Sequence, residues 1–464
     1  MTPFAVTTVD LARTQFGMTS LYHFLFVPLT LGLAPLVAIM QTIWQRTGVD
    51  AWLRLTKFFG ALLLINFAIG VATGLVQEFQ FGMNWSVYSR FVGGVFGAPL
   101  AIEGLAAFFL EATFLGLWIF GWNRLSPRVH LTTIWLAAAG TWLSAYFILV
   151  ANSWMQHPVA YKMVDGEAQL TNVGALLSNE FALIAYLHTI LAGLIFGSIV
   201  MLGVSCWHLL RERNVELFRR AARLALIVAV PATLLQLSVG NRFGEAVTAQ
   251  QSMKIAASEA QWSTCRPCGF SLFQIGGFSA QHPDPSVSIT IPRLLSWMGT
   301  GSFDGRIQGL NQLQAQEQKQ FGPGNYMPDV RLTYWSMRAM AMLGVLMFLV
   351  AAVGAWLYRK RRLERARWFL RAAIVTMAAP YVAASFGWIL TEMGRQPWIV
   401  QGLLKTANAN SPAVSSATIA VSLGVFGVLY AALAVVNFVL LRRFARVDPP
   451  VVAEQAAPAP ALTV

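Results

Sequence analysis

Long apolar runs separated by short, arginine-bearing segments dominate this chain, and nowhere does hydrophobicity alternate with period two. A helix needs roughly 20 mainly apolar residues, at about 1.5 Å rise each, to cross a hydrocarbon core of about 30 Å. Nine runs reach that length, at 19–43, 56–79, 98–121, 129–152, 181–208, 221–240, 332–357, 371–392 and 416–441. Lipid offers no partner to unpaired backbone groups, so such runs form helices, and the missing alternation excludes a β-barrel. The pattern predicts an all-α polytopic membrane protein with nine transmembrane helices. Helices 1–6 fall within 1–240 and helices 7–9 within 332–446. Between them lies one long polar segment, 241–331, punctuated by Gly and Pro, of a length that is often functional. The Ala/Pro-rich end, 447–464, reads as a disordered tail.

Composition agrees. Of 464 residues, 56% are hydrophobic and 11% charged, with a mean hydropathy of +0.57. Soluble proteins carry about 25% charged residues, so a soluble enzyme, a disordered chain and a nucleic-acid binder are all excluded. The net charge of +13 reports topology once its placement is traced. Basic residues cluster after span 1 (Arg46, Arg54, Lys57), span 3 (Arg124, Arg128), span 5 (Arg211 to Arg223), span 7 (Arg359 to Arg371) and span 9 (Arg442, Arg443, Arg446). These short segments hold 20 of the 33 basic residues, all on one side. The positive-inside rule therefore predicts an external N-terminus, a cytoplasmic C-terminus and an external 241–331 segment, with some contact to anionic lipid. The start lacks a basic stretch followed by an apolar one, so no cleavable signal peptide is expected. No internal repeat is evident, which weighs against an inverted-repeat transporter.

Ionisable residues inside a span cost about 2.5–3.5 kcal/mol each on insertion scales, which makes them functional candidates. The set comprises His23, Glu78, Glu103, Glu111, His188, Arg338 and Glu392. With spans 1, 5 and 7 running inward, His23 lies ~6 Å, His188 ~10 Å and Met340 ~12 Å below the outer surface, and Glu392 reaches that surface on span 8. An imidazole and a thioether at matching depth form the pair that ligates low-spin haem iron. Spacing alone leaves the alternative open: a histidine in a membrane helix serves equally as hydrogen-bonding glue, and most of the 16 methionines must be packing. Glu103 and Glu111, eight residues apart on span 3, are about 12 Å apart along a uniform α-helix and some 80° apart around it, and two carboxylates on one span suit a proton relay.

Six stretches carry a resemblance: QFGMTSLYHFLFVPLTLG at 15–32, EFQFGMNWSVYS at 78–89, GAPLAIEGLAAFFLEATFLGL at 97–117, LVANSWMQHP at 149–158, KIAASEAQW at 254–262 and TEMGRQPW at 391–398. In order and topology they resemble subunit I of the cytochrome bd quinol oxidases from about residue 10 to about residue 445, in its short quinol-loop class. The resemblance implies that His188 and Met340 are the axial pair of a low-spin haem b, that Arg338 stabilises it electrostatically, that His23 ligates haem d and that Glu392 ligates a high-spin haem b. It sets Trp388 between haems and puts Arg395, within GRQPW, among the haem-site residues. Glu103 would stand beside the oxygen-binding haem, with Glu111 and Ser144 on the inward proton path. Lys254 and Glu259 match residues that bind and deprotonate quinol.

Cys265 and Cys268 form CRPC in the same loop; outside the cell they make either a disulfide or a pair of free thiols. The implied activity is oxidation of two quinols at the external side with reduction of one O2 to two waters by cytoplasmic protons, which builds proton motive force without a pump. Implied partners are a second polytopic subunit, a small single-span subunit, quinol, O2 and the bilayer of a bacterial cytoplasmic membrane. Two other readings of the residues stand beside this one: a haem-bearing quinol reductase that passes electrons to a partner, and a proton-coupled transporter using Glu103, Glu111 and Glu392.

Overall fold

A computed structural model describes residues 7–450; most of the expected tail, 451–464, lies outside the described residues. Among the described residues, nine helical stretches are long and apolar enough to cross a membrane. The first is a broken pair, α1 (Thr8–Phe24) and α2 (Val27–Thr47). Thr7 caps α1 and shares a capping box with Asp10, which satisfies the free N–H groups of its first turn. Pro28, in the first turn of α2, cannot continue the hydrogen-bond ladder of α1, so the chain breaks at Leu25–Phe26 and restarts.

The second stretch is α3 (Asp50–Asn84). The third runs from α4 (Ser86–Ile102) through a π-helical turn at Glu103–Phe108 into α5 (Phe109–Phe120), with Pro99 just upstream of that turn. Then come α6 (Pro127–Gln156), a hairpin of β1 (Tyr161–Val164) and β2 (Glu167–Leu170), short α7 (Val173–Leu177), α8 (Glu180–Leu210) and α9 (Val215–Gln250). Asp165 and Gly166 turn that hairpin, both at positive φ as a tight two-residue connection requires.

The segment read as irregular carries α10 (Ser252–Ser258), an antiparallel pair β3 (Phe270–Gly276) and β4 (Pro285–Ile291), α11 (Leu294–Thr300) and α12 (Leu310–Phe321). It begins ten residues later than expected, because α9 continues to Gln250 through Arg242 and Glu245, residues that a hydropathy reading assigns to a loop. The last three stretches are α13 (Val330–Arg359), the pair α14 (Arg367–Thr376) and α15 (Ala379–Met393), and α16 (Ser416–Phe444), with a small pair β5 (Trp398–Val400) and β6 (Leu404–Lys405) before α16. Among the described residues the membrane part is thus helical, with three two-stranded ribbons beyond it.

Close backbone contact sets the centre. A Cβ on Gly32 of α2 would fall 2.0 Å from Gly193 O of α8, and one on Gly197 would fall 2.6 Å from Gly32 C, so these glycines let two helices touch main chain to main chain. Around them Leu36, Val37, Phe59, Phe196, Met201 and Phe218 form the largest buried cluster. By contrast α16 leaves Val421, Val425, Val428, Val435 and Phe438 exposed, and the third stretch exposes Leu105, Phe109 and Phe120. At the arginine-rich end, Arg54 donates to Pro449 O, Pro450 O and Asn214 Oδ1, and Asn214 donates to Asp448, so residues 448–450 pack along that face.

Candidate functional site

The polar first turns of α1, with Asp10, Arg13 and Gln15, fall outside a hydropathy window, so the helix starts eleven residues earlier than the 19–43 reading. His23 therefore sits fifteen residues beyond Thr8, about 22 Å along the helix and next to the α1–α2 break, deeper in its stretch than expected. Its Nδ1 lies 3.0 Å from Thr73 Oγ1, whose own hydrogen is given to Ile69 O at 2.9 Å. Thr73 can then accept from Nδ1–H, the tautomer that leaves the Nε2 lone pair free. A ligating histidine needs this arrangement.

His188 lies eight residues into α8, with its Cε1 edge capped by Gln236 Nε2 at 3.2 and 3.1 Å from the two ring nitrogens. Gln236 Oε1 is buried without a hydrogen-bond partner among the described residues. Met340 lies on α13 against α15, where a Cβ on Gly387 would come 3.0 Å from its sulfur. Glycine adjoins the two histidines as well: a Cβ on Gly74 would meet His23 Cε1 at 3.0 Å, and one on Gly240 would meet His188 Cε1 at 3.8 Å. His130 has its two ring nitrogens engaged by separate partners, Gln41 and Trp118 O, and packs as a satisfied core residue.

Glu392 closes α15. Arg395 donates to its Oε2 through Nε at 3.1 Å and also through Nη2, and to Ile399 O. Asn152 of α6 donates to Oε1 at 3.0 Å. Trp388, one turn earlier, is half-buried. On the third stretch, Ser144 Oγ donates to Glu103 at 2.6 Å and Thr141 Oγ1 donates to Glu111 at 2.7 Å. The π turn between the two glutamates holds more residues than an α turn, so the 80° separation of a uniform helix does not apply. Both carboxylates instead face α6, which Gly140 lets approach: a Cβ there would sit 2.8 Å from Glu111 N. The resemblance grouped Ser144 with Glu111; its hydrogen bond goes to Glu103, and Thr141 fills the other place.

At the loop, Lys254 and Glu259 are both buried and do not pair with each other. Lys254 Nζ donates to Gln156 Oε1 at 2.7 Å. Burial, with Arg395 nearby and Glu392 opposing, pulls its ammonium down to about 7. Glu259 accepts two hydrogen bonds from Arg338, at 3.1 and 2.7 Å, yet burial holds its carboxyl above the usual carboxylate range. Arg338 also donates to Ser258 O and Ser271 O and lies 3.9 Å from the Tyr334 ring centre. Cys265 and Cys268 are joined as a disulfide.

The sequence model of cytochrome bd terminal oxidase subunit I matches residues 11–449. The chain belongs to the cytochrome bd terminal oxidase subunit I family. It is 44% identical to cytochrome bd ubiquinol oxidase subunit 1 of Bacillus subtilis (strain 168), over 93% of this chain and 92% of the relative. It is 36% identical to cytochrome bd-II ubiquinol oxidase subunit 1 of Escherichia coli (strain K12), over 95% and 97%. In three dimensions it matches the bd oxidase of Geobacillus thermodenitrificans with a TM-score of 0.86 at 26% identity, covering 95% of this chain and 99% of that one. As a cytochrome bd subunit I, it is a membrane oxidoreductase subunit of a terminal oxidase and a haem protein.

The residues fit haem. With Nδ1–H on Thr73, His23 can present Nε2 to a metal, the glycines beside His23, His188 and Met340 leave open the volume that a Cβ would fill, and Gln236 carries an orphaned buried oxygen next to His188. Glu392 Oε1 accepts a single hydrogen bond, from Asn152, which leaves it a lone pair for a metal, while Arg395 takes up Oε2. Thr73, Thr141, Asn152 and Gln156 escaped sequence reasoning; Asn152 and Gln156 were visible as two carboxamides four apart at the end of an apolar run.

Proposed function

We propose that this chain is the subunit of a quinol:O2 oxidoreductase that oxidises quinol beside the loop at 251–329 and releases the quinol protons on that side. Two quinols and one O2 give two quinones and two waters, with the protons for water drawn from the arginine-rich, cytoplasmic side. In this reading His188 and Met340 hold low-spin haem b with Arg338 nearby, His23 holds haem d, and Glu392, flanked by Trp388 and Arg395, holds a high-spin haem b. When bound, haem iron supplies electron transfer and the reduction of O2.

The observation that carries the reading is the clasp of Glu259 by Arg338, which ties the loop's carboxylate to a residue two positions before Met340. Lys254, as ammonium, holds a quinol oxygen, and Gln251 Oε1, buried without a partner among the described residues, offers an acceptor close by. Glu259 takes the hydroxyl proton, a task suited by its raised pKa. Protonation weakens its pairing with Arg338 and frees that positive charge toward Met340 as quinol is oxidised. On the other route, Glu111 with Thr141 and Glu103 with Ser144 pass protons inward along one face of α6. Protons released on one side and taken from the other store energy without a pump, at about 2.3 kcal/mol per charge per 100 mV.

An external N-terminus and a cytoplasmic C-terminus follow from the arginine placement. The exposed apolar faces of α16 and α5 support a second polytopic subunit, with a small single-span subunit and lipid covering the remainder in a bacterial cytoplasmic membrane. Quinol-driven O2 uptake by the purified complex, with carbon monoxide binding to its reduced form, tests the reading. A complex that oxidises quinol but binds no carbon monoxide would be a reductase and not an oxidase.

A further inference from the structure

The run NSWMQ ends α6 with two carboxamides, Asn152 and Gln156, that the reaction as described does not use. They lie four residues apart and therefore on one face of the helix. Lys254 Nζ donates to Gln156 Oε1 at 2.7 Å, Gln156 Nε2 donates to Asn152 Oδ1 at 2.7 Å, and Asn152 Nδ2 donates to Glu392 Oε1 at 3.0 Å. The line is anchored at both ends. Gln251 Nε2 donates to the main-chain carbonyl of Gln156 at 2.8 Å, and Arg395 holds the other oxygen of Glu392. Gly394 lets the stem of Lys254 pass beside the turn after Glu392, since a Cβ there would fall 2.7 Å from Lys254 Cγ.

Both amides point the same way. Each turns its oxygen toward the ammonium and its NH2 toward the carboxylate; either flip would set NH2 against the ammonium or C=O against the carboxylate, so the charges at the ends fix the order. A carboxamide in such a line passes on polarisation. It is neither an acid nor a base near neutral pH, so it does not hand on protons as a carboxylate or imidazole would.

We propose that Asn152 and Gln156 are positioning residues that link Lys254 of the quinol loop to the carboxylate of Glu392, so that the two ends are oriented together while quinol protons are kept out of the Glu392 pocket. The inference rests on the reading of Lys254 as a quinol contact and Glu392 as a haem ligand.

The test compares Gln156→Ala, Gln156→Glu, Asn152→Ala and the double alanine variant in the purified oxidase complex. Quinol KM and the position of the high-spin haem bands are read together, with the low-spin band as an internal control of folding. Gln156→Ala raises KM about ten-fold or more, the effect of losing a charge-assisted hydrogen bond, and displaces the high-spin band although Gln156 holds neither quinol nor iron. Gln156→Glu still grips Lys254 and keeps KM within about two-fold of the parent. It nonetheless displaces the band, because the donor to Asn152 is gone. The double variant is no worse than the more damaged single one. A parental high-spin band in both alanine variants, additive effects in the double variant, or loss of the low-spin band along with the high-spin one overturns the link. Lys254→Ala separates the two levels: parental KM there refutes the quinol reading, while the band in Gln156→Ala still decides the link.

Discussion

Arg338 Nη2 lies 2.7 Å from Glu259 Oε2, and the two side chains are almost completely buried, so the loop is fastened to α13 by a charge pair shielded from water. Removing one member of such a pair strands the other, at a cost of about 3–5 kcal/mol. Arg338→Gln is expected to lower the Tm of the purified complex by that route and to open the loop to protease. Adding Glu259→Gln should recover part of the loss. An Arg338→Gln complex as heat-stable as the parent would show that the clasp does not hold the loop.

The pKa of Lys254 at about 7 sets a pH window. Below it the ammonium dominates; above it the amine does. The folded value lies below that of an unfolded lysine, so the unfolded chain binds more protons between about pH 7 and 10.4, and the fold gains stability with rising pH over that interval. Quinol binding has the opposite sign, because it uses the ammonium: KM should rise as pH climbs through 7. Lys254→Gln should remove that rise, as measured by initial rates across pH.

Ser144 and Thr141 each give a hydrogen bond to one carboxylate of the third stretch, and such bonds contribute about 1.5–3 kcal/mol when the partner is charged. Ser144→Ala and Thr141→Ala should slow turnover by about ten-fold while leaving the haem spectrum as it is. Glu111→Gln should slow it more. Stopped-flow proton uptake on the cytoplasmic side checks the assignment.

Substitutions at two glycines should tell the proposed haem sites apart. Gly74→Ala puts a methyl group 3.0 Å from His23 Cε1 and should perturb one high-spin band. Gly387→Ala puts one 3.0 Å from Met340 Sδ and should perturb the low-spin band instead. Contacts this close force a shift of neighbours and cost about 1–3 kcal/mol. Identical difference spectra for the two variants would count against separate sites.

Hydropathy was enough to find all nine membrane stretches, because lipid imposes one rule on every residue of a span. It misjudged the ends of α1 and α9, where Asp10, Arg13, Arg242 and Glu245 continue a helix past the apolar run. The π turn at Glu103–Phe108 was not legible, since one extra residue in a turn leaves no mark in composition. Resemblance nominated the site residues singly, but their partners depend on packing between distant helices. Ser144 on Glu103, Thr73 on His23 and Arg338 on Glu259 are contacts that no local spacing encodes. The tie of Cys265 to Cys268 was one of two open readings, and the loop geometry brings the sulfurs together.

The most direct test of the account is the reduced-minus-oxidised absorption spectrum of purified complex carrying His188→Ala or Met340→Ala. The account predicts that either change abolishes the low-spin haem b signal and leaves the two high-spin signals in place. A spectrum identical to that of the parent would contradict it.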